Sequence, residues 1–264
     1  TDLLILDEPT SSLPIAETEK LLQVIDPQTS VAAITRVFRR EDVYRLSGDE
    51  DLAPDMVVGY AKGTRYGIRM DGDALLMAGV PGMQLTWMDA RVGERVITPR
   101  IGKPVEVQAL WINALSIAAT LESRWHEPFT RARAAFADRF WNESLGWLAD
   151  VIDVDGIAGT RDDTLRPNQI LAIGGLPLTL IDNRRARRVI AAVEAELLTP
   201  LGLRSLAPRE PGYAGRYEGD PSARDSVYHQ GTAWPWLNGP FVEAWVRVRG
   251  NTKTVRAEAR RQFL

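Results

Sequence analysis

Hydrophobic and polar positions divide the chain into a short first segment and a longer second one. Residues 1–50 contain two short apolar runs, at 3–6 and 31–35, separated by an apolar helical stretch at 15–25. Short apolar runs on either side of a helix indicate buried parallel strands, so this segment is predicted to form one β-α-β unit. The stretch 47–55 is polar and acidic and contains breaker residues, and it predicts the junction between the two segments.

Helical spacing dominates from residue 56 onward. Two short runs, 57–60 and 66–70, first predict strands around a turn at Gly63. The apolar spacing then predicts helices over 105–121, 128–141, 183–198 and 235–249, and helix beginnings over 168–172 and 255–263. Helices that alternate with long polar loops indicate a mainly α fold, a helical toroid whose loops gather at one end to form a site.

The composition is that of an ordinary globular protein and argues against several classes of function. Of 264 residues, 45% are hydrophobic and 25% are charged, and a net charge of −3 gives no reason to expect a nucleic-acid partner. The chain has no cysteine, only two histidines and no apolar run of membrane-spanning length. We therefore expect no metal, no cofactor and no membrane partner. The absence of cysteine fits a cytoplasmic location, and the oligomeric state stays open.

The segment 84–90 carries the most informative chemistry. It places the carboxylate of Asp89 close to a hydroxyl and to the ring of Trp87. An enzyme that cleaves sugars needs a carboxyl group that can protonate the glycosidic oxygen, and a ring can stack on a pyranose. The neighbours Met88 and Ala90 add apolar surroundings that suit a proton donor. A helix-capping aspartate and a tryptophan packed in the core are the ordinary alternatives.

A second dense patch of aromatic and polar residues lies at 228–236. All eight tryptophans follow residue 85, and core packing accounts for most of them, but Trp87 and Trp234 lie among polar residues and are candidates for sugar stacking. His229 and Gln230 lie between aromatic residues, where we expect a sugar hydroxyl as their ligand. A structural histidine is the alternative.

Charged residues just after the first motif form a candidate cluster of Arg100, Lys103 and Glu106. These side chains would hold sugar hydroxyls or orient Asp89 through charge-assisted hydrogen bonds. A solvated helix start is the alternative, because an acid in the first turn of a helix is stabilised by the helix dipole.

A further polar group consists of Arg166, Asn168 and Gln169. These side chains are candidates for contacts with sugar hydroxyls at a cleft. A helix N-cap is an equally good interpretation of Asn168.

Residues 4–13, Leu-Ile-Leu-Asp-Glu-Pro-Thr-Ser-Ser-Leu, resemble the ATP-binding-cassette ATPases, particularly those of sugar importers. The resemblance covers about residues 1–46 and implies that Asp7 helps to hold magnesium and that Glu8 positions the attacking water. The chain contains no G-x-x-x-x-G-K-[ST] loop to cradle phosphates, and Arg36 stands where that family has a histidine. An ATPase subunit of a sugar importer is therefore only the third interpretation of function.

Five blocks of the second segment carry a broader resemblance. They are residues 63–68, 82–90, 98–111, 166–169 and 225–236. In this order the blocks resemble the C-terminal catalytic domain of glycogen debranching enzymes, in their bacterial and archaeal form. The resemblance implies an (α/α)6 toroid, and it divides the chain into an ATPase-like fragment at 1–50 and an incomplete catalytic domain at 57–264.

The same resemblance implies an activity. It is that of an amylo-α-1,6-glucosidase, which acts on glycogen or a limit dextrin with inversion of the anomeric centre. Asp89 matches the general acid of the family. An inverting reaction also needs a carboxylate base that stands far enough from the acid for a water molecule to lie between them.

The base of the family is expected in a short loop near the C-terminus of the domain, and the chain stops at Leu264 before such a loop. Glu218, Asp225 and Glu243 are nearby acids, and none of them is assigned as the base. We therefore expect a truncated form with weak or no hydrolysis, and uncovered helix faces that cause poor solubility or dependence on a partner. A non-catalytic glucan-binding module is the alternative.

Overall fold

The computed structural model describes residues 52–263, with side chains from residue 57. All of these except Leu52 belong to the second of two compact units, Ala53–Leu264. The predicted β-α-β unit and most of the predicted junction at 47–55 lie outside the described residues. The boundary between the two predicted domains stays a prediction.

The described residues form a mainly helical unit. Its α-helices are α1 Leu52–Lys62, α2 Val105–Leu121, α3 His126–Arg139, α4 Asn183–Glu196, α5 Pro221–Val227, α6 Asn238–Val248 and α7 Lys253–Phe263. Short 3-10 helices lie at Arg65–Gly67, Ser123–Trp125, Val154–Gly156, Pro167–Ala172 and Pro235–Leu237. Of the described helices, none is both long enough and apolar enough to cross a membrane.

Strands of two or three residues join the helices as small antiparallel ribbons. They are β1 Arg69–Met70, β2 Leu76–Met77, β3 Arg91–Val92, β4 Arg95–Val96, β5 Lys103–Pro104, β6 Trp141–Asn142, β7 Trp147–Leu148, β8 Val151–Ile152, β9 Arg161–Asp162, β10 Leu198–Thr199, β11 Gly202–Arg204 and β12 Ala233–Trp234. The two three-stranded sheets have the orders β5-β8-β9 and β10-β11-β12. These ribbons hold the loops on which the candidate site is built.

The core lies between the helices. Helix α2 packs against α3 and against the 3-10 helix Pro167–Ala172, while α6 packs against α4, α7 and that same 3-10 helix. The buried side chains of these elements form one continuous apolar cluster. The prediction of a mainly helical fold is confirmed, with sheets that are small, and the arrangement of the helices as part of a toroid stays a prediction.

Most helix predictions are confirmed within a few residues, and that for 105–121 matches α2 from end to end. Helix α4 begins where its sequence predicts, because the side chain of Asp182 accepts a hydrogen bond from the backbone N–H of Arg185 at 3.0 Å. The helix predicted to begin at 168–172 is observed only as the short 3-10 helix Pro167–Ala172. It ends near Gly174, where an added Cβ would lie 2.4 Å from the backbone nitrogen of Ala244.

The strand predicted at 57–60 is wrong, because these residues belong to helix α1. A four-residue apolar run cannot by itself distinguish a strand from a helix. Val57 is buried, and Val58 and Tyr60 pack against the core from one helical turn. Tertiary packing therefore outweighs the preference of β-branched residues for strands.

Gly102 fixes the loop that precedes α2. Its backbone exchanges two hydrogen bonds with Ala78, of 2.8 and 2.9 Å. Its φ angle is +135°, and an added Cβ would lie 2.8 Å from the carbonyl oxygens of both Ile152 and Asp153. Only glycine fits this approach without a shift of the backbone, so Gly102 holds the start of α2 against β8.

Candidate active site

The side chain of Asp89 stabilises the loop in which it lies, because its carboxylate binds backbone groups three and four positions earlier. Its Oδ2 accepts hydrogen bonds from the backbone N–H groups of Leu85 and Thr86, at 2.6 and 2.9 Å. Its Oδ1 accepts one from the hydroxyl of Thr86 at 3.0 Å. The apolar neighbour Met88 turns away and is fully buried. The surroundings of this carboxylate therefore differ from the apolar ones predicted, since three polar donors fix its orientation.

Arg100 ties the Asp89 loop to the first turn of α2. Its Nη1 donates a 3.0 Å hydrogen bond to the Thr86 hydroxyl, and its guanidinium binds both carboxylate oxygens of Glu106. Its Nε donates to Asp150 at 3.1 Å. Burial opposes the positive charge, but Asp150 and Glu106 outweigh it and raise the pKa of Arg100 above its ordinary value. Arg100 is therefore a permanent cation that orients the loop.

Asp150 and Asn168 connect Arg100 to Trp87. The second carboxylate oxygen of Asp150 accepts a hydrogen bond from Asn168 Nδ2 at 2.8 Å, and Asn168 Oδ1 accepts one from Trp87 Nε1 at 2.9 Å. Burial raises the pKa of Asp150, although the charge of Arg100 opposes this. The six residues of this network are called the polar ring below: Thr86, Trp87, Asp89, Arg100, Asp150 and Asn168.

Trp87 also stands among four other aromatic rings. Its ring lies edge-on to those of Trp236, His229 and Trp234, with centroid distances of 4.9, 5.2 and 5.7 Å. His229 stacks on Trp234 at 5.2 Å, and Tyr228 meets both of these rings at 4.8 Å. These five residues form the aromatic cluster. Trp87 and Trp234 are partly exposed.

His229 lies inside the aromatic cluster, with only 3% of its surface exposed. Burial lowers the pKa of its imidazole to about 4, and the charges of Arg166 and Arg100 act in the same direction. Its Nδ1 and the Nε1 of Trp234 are buried without a hydrogen-bond partner in the described part of the chain. A sugar hydroxyl would reach these atoms only if one of the surrounding rings moved. The binding role of His229 therefore stays a prediction that requires such a movement.

Arg166 holds the loop that carries His229. Its Nη1 donates to the carbonyl oxygens of His229 and Ser205, at 2.8 and 3.0 Å, and its Nη2 donates to Gln230 Oε1 at 3.0 Å. Burial lowers the pKa of Arg166. Gln169 donates to the carbonyl oxygen of Arg166 at 3.1 Å. These polar groups bind to the protein itself, and sugar contacts by them stay a prediction.

Lys103 belongs to a different cluster. Its ammonium group lies 2.9 Å from carboxylate oxygens of Asp71, Asp73 and Asp153, and Arg139 binds two of the same three acids. Lys103 is only 1% exposed. Of the three charged residues predicted to orient Asp89, the structure therefore places Arg100 in the polar ring, binds Glu106 to that arginine, and places Lys103 in a second ionic cluster.

Two of the acids near the far end of the chain, Glu243 and Glu218, have partners of their own. Glu243 accepts a hydrogen bond from the backbone N–H of Gly175 at 2.9 Å and also binds Arg247, so it anchors α6. Glu218 is exposed and lies 3.6 Å from Arg216. Among the described residues, no group of three acids or histidines is arranged to hold a metal ion.

Two surface grooves lie elsewhere on the unit. One of about 340 Å³ is lined by residues between Gly59 and Ile68, and one of about 550 Å³ lies between α3 and the start of α4. Neither groove is lined by Asp89 or by the aromatic cluster. The candidate site is therefore described by its contacts.

Sequence reasoning missed Asp150, which joins the two halves of the polar ring. Its signal is present in the sequence, because Asp150 is an acid within the otherwise apolar stretch 147–152. A charged residue in a buried run needs a partner, and this requirement marks it for attention.

A fixed carboxylate beside an aromatic cluster provides the groups that cleavage of a glycosidic bond uses. Residues 25–263 match the family described as amylo-alpha-1,6-glucosidase, and the chain belongs to this family. The match begins within the segment predicted to resemble an ATPase, and the comparisons give no support to that resemblance.

Two individual proteins are similar to parts of the chain. The glycogen debranching enzyme of Saccharomyces cerevisiae is 26% identical over 208 residues, which is 61% of this chain and 13% of that protein. This chain thus spans a small part of the length of that relative. The crystal structure of a GH63 mannosylglycerate hydrolase from Thermus thermophilus in complex with glucose is similar with a TM-score of 0.43 and 16% identity, over 60% of this chain and 36% of that one.

Proposed function

We propose that this chain acts on α-1,6-glucosidic branch points of glycogen or limit dextrin with Asp89 as the general acid, and that its turnover is weak because none of the described residues is assigned as the base. The observation that supports this proposal best is the position of the Asp89 loop beside the aromatic cluster, which it joins through Trp87. Three hydrogen bonds orient the carboxylate, and the neighbouring Trp87 belongs to a partly exposed aromatic cluster. Membership of the amylo-alpha-1,6-glucosidase family supports the choice of substrate.

The proposed reaction inverts the anomeric centre. Asp89 donates its proton to the glycosidic oxygen as the bond to the anomeric carbon breaks, and water adds from the opposite face of the sugar. A carboxylate base takes the proton of that water, typically with roughly 6.5–9.5 Å between the two carboxyl groups. The proposal assigns this base to none of the described residues. Trp87 and Trp234 would stack against the glucose rings.

The test measures glucose release from a limit dextrin by the wild type and by Asp89→Asn. We expect a loss of about 10²-fold or more in kcat, since the asparagine has no acidic proton to transfer to the glycosidic oxygen. α-Glucosyl fluoride needs little help from an acid because fluoride leaves readily, so the variant should retain far more of its activity on this substrate. Asp138→Asn, at an exposed position of α3, is the matched control.

Two results would overturn the proposal. Full cleavage of limit dextrin by Asp89→Asn would remove the assignment of the acid. Cleavage of linear α-1,4-linked chains, with branched dextrins left intact, would remove the assignment of the substrate.

A binding function without turnover is the second candidate. It is favoured by the partial exposure of Trp87 and Trp234 within the aromatic cluster. Calorimetric titration with a malto-oligosaccharide should then detect binding that Trp87→Ala weakens, while no glucose is released. Absence of binding would exclude this candidate.

A cytoplasmic location and the absence of nucleic-acid and membrane partners stay predictions from composition. ATP hydrolysis is not part of the proposal, since the sequence lacks a phosphate-binding loop. A nucleotide-binding assay that detected tight, magnesium-dependent binding of ATP would revive it.

A further inference from the structure

Asp150 is the point at which the two halves of the polar ring meet. Its Oδ2 accepts from Arg100 Nε at 3.1 Å and its Oδ1 accepts from Asn168 Nδ2 at 2.8 Å. Its backbone is fixed as well, because its carbonyl oxygen accepts a 2.9 Å hydrogen bond from the N–H of Val105 at the start of α2. The side chain is 3% exposed, so it cannot touch a substrate directly.

One arm of the polar ring runs from Asp150 through Arg100 to Asp89. Arg100 Nη1 donates to the hydroxyl of Thr86. A hydroxyl has a single proton, and an arginine can only donate, so the proton of Thr86 must point elsewhere. It points to Asp89 Oδ1 at 3.0 Å. The direction of this hydroxyl, and with it one bond to the carboxylate of Asp89, is therefore set by Arg100.

The other arm runs from Asp150 through Asn168 to Trp87. An indole N–H can only donate, so it requires the oxygen of the Asn168 amide. The amide nitrogen must then face Asp150, whose Oδ1 accepts its hydrogen bond. The carboxylate of Asp150 thereby fixes the amide in the one orientation that holds the ring of Trp87.

Asp150 is not needed to neutralise the charge of Arg100. Glu106 already binds the guanidinium through both of its oxygens. Burying a second carboxylate beside the same cation adds a desolvation cost to the folding free energy, which other interactions must offset. The hydrogen bonds that Asp150 accepts from Asn168 and Arg100 are those interactions.

We propose that Asp150 is a positioning residue that orients Asp89 and Trp87 together. This inference rests on the proposed function for its effect on turnover, but its effect on Trp87 is independent of that function. Asp150 accepts on both sides, and an asparagine at this position accepts on one side only. Asp150→Asn must therefore break one arm of the polar ring while it preserves the shape of the side chain.

The first measurement is the ¹H–¹⁵N spectrum of the tryptophan indoles, in which the signal of Trp87 is identified from Trp87→Phe. In Asp150→Asn we expect this signal to shift or to split, because the amide of Asn168 is free to turn. In the kinetic assay we expect kcat on limit dextrin to fall about 10- to 100-fold, with KM changed by about threefold or less. Asp163→Asn, a partly exposed acid paired with Arg161, is the matched control and should alter neither quantity.

The second variant exchanges the two partners, as Asp150→Asn with Asn168→Asp. The new amide nitrogen at 150 can donate to the new carboxylate at 168, whose other oxygen accepts from Trp87. The amide oxygen at 150 still accepts from Arg100, so every bond of both arms is restored. We expect the Trp87 signal to return towards its wild-type position and kcat to recover at least several-fold over the single variant.

The outcomes separate this inference from the proposed function. Wild-type protein that releases no glucose from limit dextrin contradicts the proposed function, while the Trp87 signals still decide the role of Asp150. A Trp87 signal that is unchanged in Asp150→Asn, with kcat within about twofold of wild type, overturns the inference. If the single variant does not fold, a folded exchange variant supports the inference when its Trp87 signal matches the wild type and overturns it when that signal is lost.

Discussion

The indole of Trp87 donates a 2.9 Å hydrogen bond to the side chain of Asn168, which lies 81 positions further along the chain. Asn168 is fully buried and also donates to Asp150. This one amide therefore carries the contact between the Asp89 loop and the 3-10 helix Pro167–Ala172. The sequence also offered a helix N-cap as the role of Asn168. That interpretation is wrong, because the N-cap position of this 3-10 helix is occupied by Arg166.

Asn168→Ala should destabilise the fold. The change removes the partner of the Trp87 N–H and leaves one oxygen of the buried Asp150 without a hydrogen bond, and a buried polar group without a partner costs about 1–3 kcal/mol. The midpoint of urea unfolding measures the loss. Asn183→Ala, at the exposed first position of α4, is the control and should stay within about 0.5 kcal/mol of wild type. Equal stability of the two variants would contradict the role of this hydrogen bond.

His229 should make the fold sensitive to mild acid. Burial lowers the pKa of His229 to about 4, while in the unfolded chain it lies near the ordinary value of 6.5. The folded state therefore favours the neutral ring. The resulting stabilisation is complete above pH ~6.5 and is lost as the pH falls from there towards 4.

Urea unfolding at several pH values between 7.5 and 4 measures this loss of stability. His229→Gln should lose less stability over this range than wild type, because it has no ring to protonate. His126→Gln removes the exposed histidine of α3 and should keep the wild-type slope. Parallel curves for wild type and His229→Gln would show that the imidazole does not titrate as described.

Periodicity predicted the helices well because their buried faces repeat along the chain. Helix α2 carries buried residues from Val105 to Ala119, and its boundaries follow from that pattern together with Gly102 and Pro104. The run at 57–60 was too short for any pattern to decide between a helix and a strand. Packing against the core, which local sequence does not contain, determined the outcome.

The candidate site was predictable in its parts but not in its connections. Asp89, Trp87 and Arg100 stand within one stretch of sequence, and the structure does join them in the polar ring. Lys103 follows Arg100 by only three positions, yet its side chain points to another cluster. The direction of such a side chain depends on the geometry of its loop and on partners far along the chain, which cannot be inferred from a single sequence.

Lys103 should be essential for stability. Lys103→Met removes the cation that lies between Asp71, Asp73 and Asp153, so that Arg139 still binds Asp73 and Asp153 while Asp71 loses its ion pair with Lys103. Removal of one partner from a buried ionic cluster typically costs about 3–5 kcal/mol. Urea unfolding at pH 7 measures the effect. Lys62→Met, at the exposed end of α1, is the matched control and should have little effect.

The cost of Lys103→Met should shrink in acid. Burial would raise the pKa of Asp153, but hydrogen bonds from Arg139, the backbone of Gly159 and Lys103 outweigh it and lower this pKa to about 2. A depressed carboxylate pKa contributes stability above pH ~4 that is lost as the pH falls towards 2. The gap in unfolding free energy between the variant and wild type should therefore narrow between pH 4 and pH 2. A gap of constant size would contradict this account of the ionic cluster.

Gly231 positions the loop that carries His229, and Gly231→Ala should displace it. Its φ angle is +134°, and an added Cβ would lie 2.5 Å from the carbonyl oxygen of Ala214 and 2.7 Å from the ring of Tyr213. The backbone must shift, so we expect a loss of more than about 1 kcal/mol in unfolding free energy. We also expect a change in the Trp87 indole signal, because His229 packs against that ring.

Gly72→Ala provides a matched control. Gly72 is exposed, has no heavy atom within 4 Å of an added Cβ and does not adopt a positive φ. An alanine there should keep the unfolding free energy within about 0.5 kcal/mol of wild type. Urea unfolding and the indole spectrum of both variants test the pair. If Gly231→Ala were as stable as wild type and left the Trp87 indole signal unchanged, the loop would accommodate a Cβ at this position, and this account of Gly231 would be wrong.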